Sequence, residues 1–507
     1  MKETQQNYTK RRCGETHIFS NSNYSLRSIV VQIIILRKKG RDTIEKQGFV
    51  KKSTMINIEI IKKRENMNTD LFENASIPKA YFTFALPVVV SMVITLVYNL
   101  CDTYFVSQSH NVHLVAGVSL CAPLFTLMLA IGDIFGIGGS SLISRLLGEK
   151  KIETIKNVSS FSFYSSIFTG ILVIILMTLF KGPILNFLGA TSETITHAQD
   201  YYKYIVFGAP AIIFSIPMAN NLRGVGLAKE SMIGTVFGSI VNIILDPIFI
   251  SVLGLGAAGA ASATVIGYVA TDIVLAYMVV KKKDILSLDI SHTNVKSNFI
   301  YDIFVIGIPA SITNLMQSFN VTILNKYLVP YGTTKVAAMG IALKLNMIIM
   351  LVMIGFAFGA QPLLGYNYGA KNTKRLKEVI KFDLLVEIGF SVITGIILIV
   401  FARNAIGVFM KDTAIIKDGA LMLRLLSIST PFVGIVLVFT TLFQVMGKAL
   451  FAFILSIARQ GVVFYMIIVI ASMIIGYSGI ISAQAISDVV TAIIALIFYK
   501  LAFRAQS

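Results

Sequence analysis

From Tyr81 to its end the chain is a succession of long apolar runs broken by short polar or Gly/Pro-containing connections. A helix that crosses a bilayer needs about 20 mainly apolar residues. Twelve runs meet that length, at 82–106, 112–144, 158–180, 201–222, 231–252, 256–280, 303–328, 337–365, 378–402, 420–444, 451–475 and 479–503. The pattern predicts an all-α integral membrane protein of about twelve transmembrane helices. Composition agrees. Of 507 residues 55% are hydrophobic and 14% charged, where a soluble domain carries about a quarter charged residues.

Residues 1–66 break the pattern. They hold 15 Lys+Arg against 6 Asp+Glu, a net of +9 out of +18 for the whole chain. Their longest apolar run, Ile29 to Leu36, is interrupted by Gln32 and is too short to span. Arg37, Lys38 and Lys39 follow it in place of a small-residue cleavage site, against a secretory signal. The segment reads as a basic, disordered extension or an over-long start ahead of Met67, with a membrane-surface tail as the alternative. The other basic residues follow membrane topology, which leaves no case for nucleic-acid binding. After residue 66, connections on the side of the N-terminus collect 20 Lys+Arg, those on the opposite side 7, and Lys344 and Arg424 lie within spans. The positive-inside rule predicts a multi-pass protein of the cell membrane with both termini cytoplasmic. Cys13 lies in the extension, and Cys101 and Cys121 sit in apolar spans as small hydrophobes.

The sequence repeats itself. Pro87 and Pro309 stand 222 apart; Gly148/Gly369, Pro210/Pro431 and Gly226/Gly447 stand 221 apart; Gly256/Gly476, Gly259/Gly479 and Ser262/Ser482 stand 220 apart. One register held over six helices divides the chain into a six-helix lobe at 67–290 and another at 291–507. Six is even, so the halves are parallel repeats about an axis along the membrane normal, enclosing a cleft near the midplane.

An ionised carboxylate in a bilayer costs several kcal/mol, about 2.5–3.5 on insertion scales, so acids inside spans are functional candidates. Asp102 lies in the first helix, Asn242 and Asp246 lie one turn apart on one face of the fifth, and Thr264 lies in the sixth. Counted at 1.5 Å per residue, Asp102, Asp246 and Thr264 fall in one layer roughly 8–12 Å below the outer boundary. This all-oxygen set suits a sodium ion or a proton shared by two acids. An Asp before Pro247 could equally cap a kink, and Asp102 could lie at the interface. The repeat supplies a control: Leu324, Val463 and Met466 or Ile467 hold the matching positions in the second half, so the fold itself needs no acids there.

Asp133, among Gly132, Gly136, Gly138 and Gly139, and Lys344 in the eighth helix are further candidates for polar residues in the cleft. Lys344 could pair with an acid or snorkel outward. Asp272, Asp383, Glu387 and Asp488 are expected near cytoplasmic ends, among loop charges or beside a wet cleft. Met92, Met128, Met316, Phe319 and Met350 read as core or lipid-facing, with greasy substrates as the alternative. The histidines, His17, His110, His113, His197 and His292, all fall in the extension or loops, so no histidine relay crosses the membrane, and His110 with His113 makes only a weak metal site. No phosphate-binding Gly-rich Lys loop is present, against ATP-driven transport by this chain alone. The clustered acids of a membrane prenyl transferase are missing too. A lipid-linked oligosaccharide flippase would want several cleft cations, and the remaining alternative is a non-transporting sensor.

From about Asn68 onward the sequence resembles the MATE family of multidrug and toxic-compound extrusion transporters. The likeness lies in Pro87 and Asp102, in Gly138-Gly-Ser-Ser-Leu-Ile-Ser-Arg-Leu-Leu-Gly148, in Asn220-Asn-Leu-Arg-Gly-Val-Gly226, in Asn242…Asp246-Pro247 and in Gly259-Ala-Ala-Ser-Ala-Thr264. Gly359-Ala-Gln-Pro-Leu-Leu-Gly-Tyr-Asn-Tyr-Gly-Ala-Lys371 is similar to its MepA-like bacterial branch. The resemblance implies a V-shaped two-lobe exporter of amphiphilic, often cationic, small molecules. It implies a functional monomer in membrane lipid, driven by sodium or protons, with no cofactor. It also implies a cation site at Asp102, Asn242, Asp246 and Thr264. Family members with a second site carry a Glu in the seventh helix where Gln317 stands here, so coupling is expected to rest on the N-terminal lobe.

Overall fold

The computed structural model describes residues 70–109 and 111–504. The extension at 1–66, with Cys13 and His17, and likewise His110, lies outside the described residues. Asn68–Ser507 forms one compact unit, and its described part is helical throughout, with no strand among the described residues.

The first half runs through α1 (Ile77–Ser107), α2 (Val112–Gly148), α3 (Ile152–Leu179), a short α4 (Lys181–Phe187), α5 (Ile195–Phe207), α6 (Ala209–Gly224), α7 (Ala228–Pro247, with a π-helical turn to Val252) and α8 (Gly256–Lys281). The second runs through α9 (Ser297–Leu328), α10 (Thr333–Gly369), α11 (Thr373–Val400), a short α12 (Ala402–Phe409), α13 (Thr413–Val445), α14 (Ala449–Gln460), α15 (Val462–Ile475) and α16 (Tyr477–Arg504). Eleven spans are long and apolar enough to cross a membrane, and α5 with α6, bent by 49°, supplies a twelfth. The expected spans all recur, but two are broken. Gly208 interrupts the fourth ahead of Pro210, whereas α13 runs on through Pro431; Gly461 interrupts the eleventh. Each break falls at a glycine, which costs a helix interior roughly 0.5–1 kcal/mol relative to alanine.

The repeat persists in the backbone. Lys150 and Lys371 both take positive φ, 59° and 58°, two residues past the ends of α2 and α10; Gly226 and Gly447 do so at 81° and 71°, and Gly256 and Gly476 at 53° and 57°. At Lys150 and Lys371 this left-handed residue lets the next amide turn back onto the helix end, Lys151 N–H to the Leu146 carbonyl and Asn372 N–H to the Asn367 carbonyl, both 3.0 Å.

Lipid tails are as apolar as leucine, so helices in a bilayer associate through close packing of small residues and through polar contacts. Both concentrate at one end, the basic end that carries the Lys/Arg-rich connections. There α2 meets α9 and α1 meets α10. Gly138 abuts the Ile303 carbonyl, Gly307 the Ile134 carbonyl, Gly359 the Ala85 backbone and Gly355 the Val89 backbone. The motif Gly138–Gly148 is therefore a packing surface. Arg145 Nη2 donates to Asp302 Oδ2 at 2.7 Å, and Gln361 Nε2 to Ser141 Oγ at 2.8 Å. Arg375 reaches the carbonyls of Phe72 and Ala75, each at 2.7 Å, and Tyr366 donates to Glu73. Tyr81 donates to Asp383 across the halves at 2.8 Å near the same end, Asp133 and Asn314 bond at 2.8 Å near mid-helix, and from there toward the far end no hydrogen bond among the described residues joins the halves. They are clasped at the basic end and free of each other at the far end, which is the V shape expected.

Candidate functional site

The π-helical turn lets α7 run past Pro247, so Asp246 remains inside the span, six residues before its end at Val252. Asp102 sits five residues before the end of α1, and Thr264 eight residues after the start of α8. All three lie at the far-end level that helical rise predicts. Asp246 is fully buried, Asn242 is 2% exposed and Thr264 4%. Gly267 and Gly238 let α8 lie close on α7, which carries Thr264 up to Asn242. With the Asn242 amide turned to satisfy both ends, its oxygen accepts from the Thr264 N–H at 3.1 Å and its nitrogen donates to Asp246 Oδ2 at 3.2 Å. Asp102 is half-buried, lies within electrostatic reach of Asp246 and keeps one carboxyl oxygen buried without a partner.

This arrangement has two acids, an amide and a hydroxyl, with no Lys, Arg or His paired to either acid among the described residues. A buried carboxylate oxygen without a hydrogen-bond partner, within electrostatic reach of a second carboxylate, is an under-satisfied group. No cluster of three or more His, Cys, Asp or Glu fit to hold a metal ion occurs among the described residues. Sequence reasoning missed three tyrosines at this site. Tyr98 and Tyr201, 8% and 7% exposed, lie within electrostatic reach of both acids. Tyr268 lies near them and near Asp272. Helical spacing carried the signal: Tyr98 is one turn before Asp102, and Thr264, Tyr268 and Asp272 follow one another by turns along one face of α8.

The other candidates scatter. Asp133 is half-buried, accepts from Asn314 of the second half and lies within electrostatic reach of buried Arg223. It belongs to the seam between halves. Gln317 and Lys344 are exposed and make no side-chain hydrogen bond or ion pair. His113 faces Glu193 at 3.6 Å on the surface.

The expectation needs correction for three of the four acids expected near cytoplasmic ends, among loop charges or beside a wet cleft. Asp272 is half-buried in α8, but Asp383, Glu387 and Asp488 are buried within their helices, away from loop charges and from any wet cleft. Asp383 and Glu387 are fully buried in α11, 10 and 14 residues from its start, and Asp488 is 2% exposed inside α16. Asp488 accepts from Arg459 Nε at 3.0 Å, Ser429 at 2.8 Å and Gln484 at 2.9 Å, and Gln484 in turn accepts from Asn320 at 2.9 Å. Arg459, counted from sequence with the cytoplasmic connections, is thus a third cation within the spans. It is already neutralised by Asp488.

Two repeated six-helix halves of membrane-spanning helices, packed into a V, are the architecture of a membrane transporter. The profile of the MatE family matches twice, at residues 87–248 and 309–470, with the same offset of 222 that the repeat shows. The chain belongs to the MATE family of transporters. It is 32% identical over 431 residues to the multidrug export protein MepA of Staphylococcus aureus (strain MRSA252), covering 85% of this chain and 95% of that one. It is 30% identical over 430 residues to MepA of Staphylococcus saprophyticus, with the same coverage. Among solved structures, an outward-facing multidrug resistance MATE transporter of the MOP superfamily superposes with a TM-score of 0.81 at 26% identity, over 86% of this chain and 98% of that one.

Proposed function

We propose that the protein is a cation-coupled antiporter that exports amphiphilic, often cationic, small molecules across the cell membrane by alternating access. The single observation that carries this reading is the site in the first half. There Asp102 and Asp246 lie within electrostatic reach of each other, no Lys, Arg or His pairs with either among the described residues, and Asp102 retains an unbonded buried oxygen. The Lys/Arg bias assigns the basic end to the cytoplasm, so the cleft opens outward with the clasped end closed. In that state sodium or a proton enters from outside, binds at Asp102 and Asp246 with Asn242 and Thr264, and displaces the drug. The cation-bound protein favours opening at the basic end, where ion leaves and drug enters. Coupling comes from mutual exclusion: a cationic drug and the coupling ion compete for the same carboxylates. The working unit is the monomer, since each chain holds both halves of the cleft.

The test is efflux of ethidium from liposomes containing the protein, under imposed sodium or proton gradients, with wild type set against Asp102→Asn and Asp246→Asn. Gradient-driven efflux should vanish in both variants while their melting stays near wild type, and the effective gradient names the ion. Unimpaired efflux in both would remove the site from the mechanism.

A further inference from the structure

A second pair of acids lies far from that site. Asp383 and Glu387, one turn apart on α11, are both wholly buried. Tyr81 of the opposite half, itself fully buried, donates its hydroxyl proton to Asp383 Oδ1 at 2.8 Å. Asp383 Oδ2 and both carboxyl oxygens of Glu387 have no hydrogen-bond partner. Every element packed against the pair is neutral where it faces it. From α1 comes Tyr81. From α10 come Phe356 and the peptide of Ala357. From α13 comes Gly434, where an added Cβ would stand 3.2 Å from the Glu387 Cβ and 3.3 Å from Met353 of α10; Thr430 lies one turn on, against the Ser391 carbonyl. The charges of α13 lie elsewhere, Lys417 exposed, Asp418 on Lys335 and Arg424 on the Ile399 carbonyl, while Lys377, Glu378 and Lys381 of α11 are exposed.

The repeat shows that the fold does not ask for these acids. At the offset of 221 their counterparts on α3 are Ser162 and Ser166, whose hydroxyls donate to carbonyls of their own helix, those of Val158 and Phe163. Two adjacent carboxyls in a dry pocket cannot both stay ionised, and with no basic partner at least one must hold a proton. Two carboxyls and one hydroxyl offer too few oxygens for a hard cation, which takes about six.

We propose that Asp383 and Glu387 form a proton-binding site closed over by Tyr81, taking a proton from water when the basic end of the cleft shuts and returning it when that end opens. Tyr81 belongs to one half and the acids to the other, so separating the halves withdraws the hydroxyl and wets both carboxyls. Closure therefore carries a proton with it: acid favours the closed basic end, and alkali favours its opening. This rests on the alternating-access reading but not on the ion used at Asp102 and Asp246.

The experiment measures spin-label distances by double electron–electron resonance between Lys151→Cys and Lys374→Cys, exposed at the basic end of either half. The full chain is used, in lipid nanodiscs, with Cys13, Cys101 and Cys121 replaced by Ala. The ratio of closed to open populations should rise about tenfold per pH unit of acidification through the titrating range, as one linked proton requires. Sodium in place of choline should not change it. Glu387→Gln, which mimics the protonated group, should stay closed at all pH, and Tyr81→Phe should weaken closure at every pH. The titration should survive in the Asp102→Asn/Asp246→Asn protein, which keeps the outcome separate from failure of the export reading. A wild type that does not titrate, a titration that persists in Asp383→Asn/Glu387→Gln, or one lost only with Asp102 and Asp246 would each overturn the proposal.

Discussion

Replacing Gly307 by Ala should force the two halves apart at the basic end. Gly307 on α9 stands against Ile134 of α2. A Cβ there would overlap the Ile134 carbonyl oxygen and come within 2.7 Å of its carbonyl carbon and 2.8 Å of its Cα. Carbon atoms at rest sit about 3.5–4.0 Å apart, so the helices must separate by roughly 1 Å. The opposing atoms are backbone and cannot swing aside. Overpacking of this kind costs about 1–3 kcal/mol. The strain exists only while the ends are together, so it is charged to the closed state alone. At about 1.4 kcal/mol per factor of ten, the closed-to-open ratio should fall roughly 5- to 150-fold. Ser141 is fully buried in the same seam. Maleimide labelling of a Ser141→Cys reporter, in the background lacking native cysteines, should therefore speed up by a similar factor in Gly307→Ala. Gly340, with nothing within 4 Å of an added Cβ, provides the control, and its Ala variant should label at the parent rate. A folded Gly307→Ala protein labelled no faster than its parent would refute the view that this seam is the closed gate.

Two further outcomes follow from contacts outside that seam. Arg459 and Asp488 pair at 3.0 Å with side chains 13% and 3% exposed, so Arg459→Met alone should cost about 3–5 kcal/mol by stranding a buried charge, while Arg459→Met/Asp488→Leu should regain most of it; thermal unfolding in detergent reads both. Glu73 precedes the first span, and the Tyr366 hydroxyl, with help from Lys150 and against its burial, holds its carboxyl below the ordinary 4.5. A depressed value in the folded state means a contribution present above pH 4.5 and lost as pH falls through the lower folded value. Melting temperatures of Glu73→Gln and wild type should therefore differ slightly at neutral pH, since the side chain is 40% exposed, and converge as pH falls below the depressed folded value.

The architecture was legible because two signals survive without any knowledge of contacts: apolar run length and the register of glycines and prolines. Of the landmarks that set the offset, Gly226/Gly447 and Gly256/Gly476 turn out to be left-handed residues and Gly148/Gly369 to lie against backbone of the opposite half, so much of the repeat was read from residues that geometry constrains. The first-half site was legible for a related reason. Helical rise fixes depth from sequence alone, and Asp102, Asp246 and Thr264 share one. Depth says nothing about direction around the helix or about partners on distant segments. Asp383 and Glu387 were assigned to the charged end of their helix because α11 begins among lysines, yet one face of that helix is dry. Asp488 and Arg459 are 29 residues apart, and only the fold brings them together. Lys344 had the opposite fate: a cation in a span with no partner, exposed on α10.

The two halves use one fold position in contrasting ways. At the offsets of 220–222, Gln484 of the second half stands where Thr264 stands in the first, Asn320 where Tyr98 stands, Asp488 where Tyr268 stands, and Arg459 where Gly238 stands. In the first half Gly238 leaves no room for a side chain, since an added Cβ would overlap the Thr271 hydroxyl of α8. In the second half α14 ends at Gln460 and the chain breaks at Gly461. Arg459 lies one residue before that break and donates to Asp488. The second half thus encloses an acid whose cation is covalently its own. Such a pair cannot be discharged by exchange with the medium, and its loss is destabilising. The first half packs its helices too tightly for a guanidinium at the matching place, and no Lys, Arg or His pairs with Asp102 or Asp246 among the described residues. On the proposed reading, the first repeat is the one that takes up and releases a mobile cation at the far-end level. Any proton bound by the second must come and go elsewhere, at the basic end, where Asp383 and Glu387 meet Tyr81.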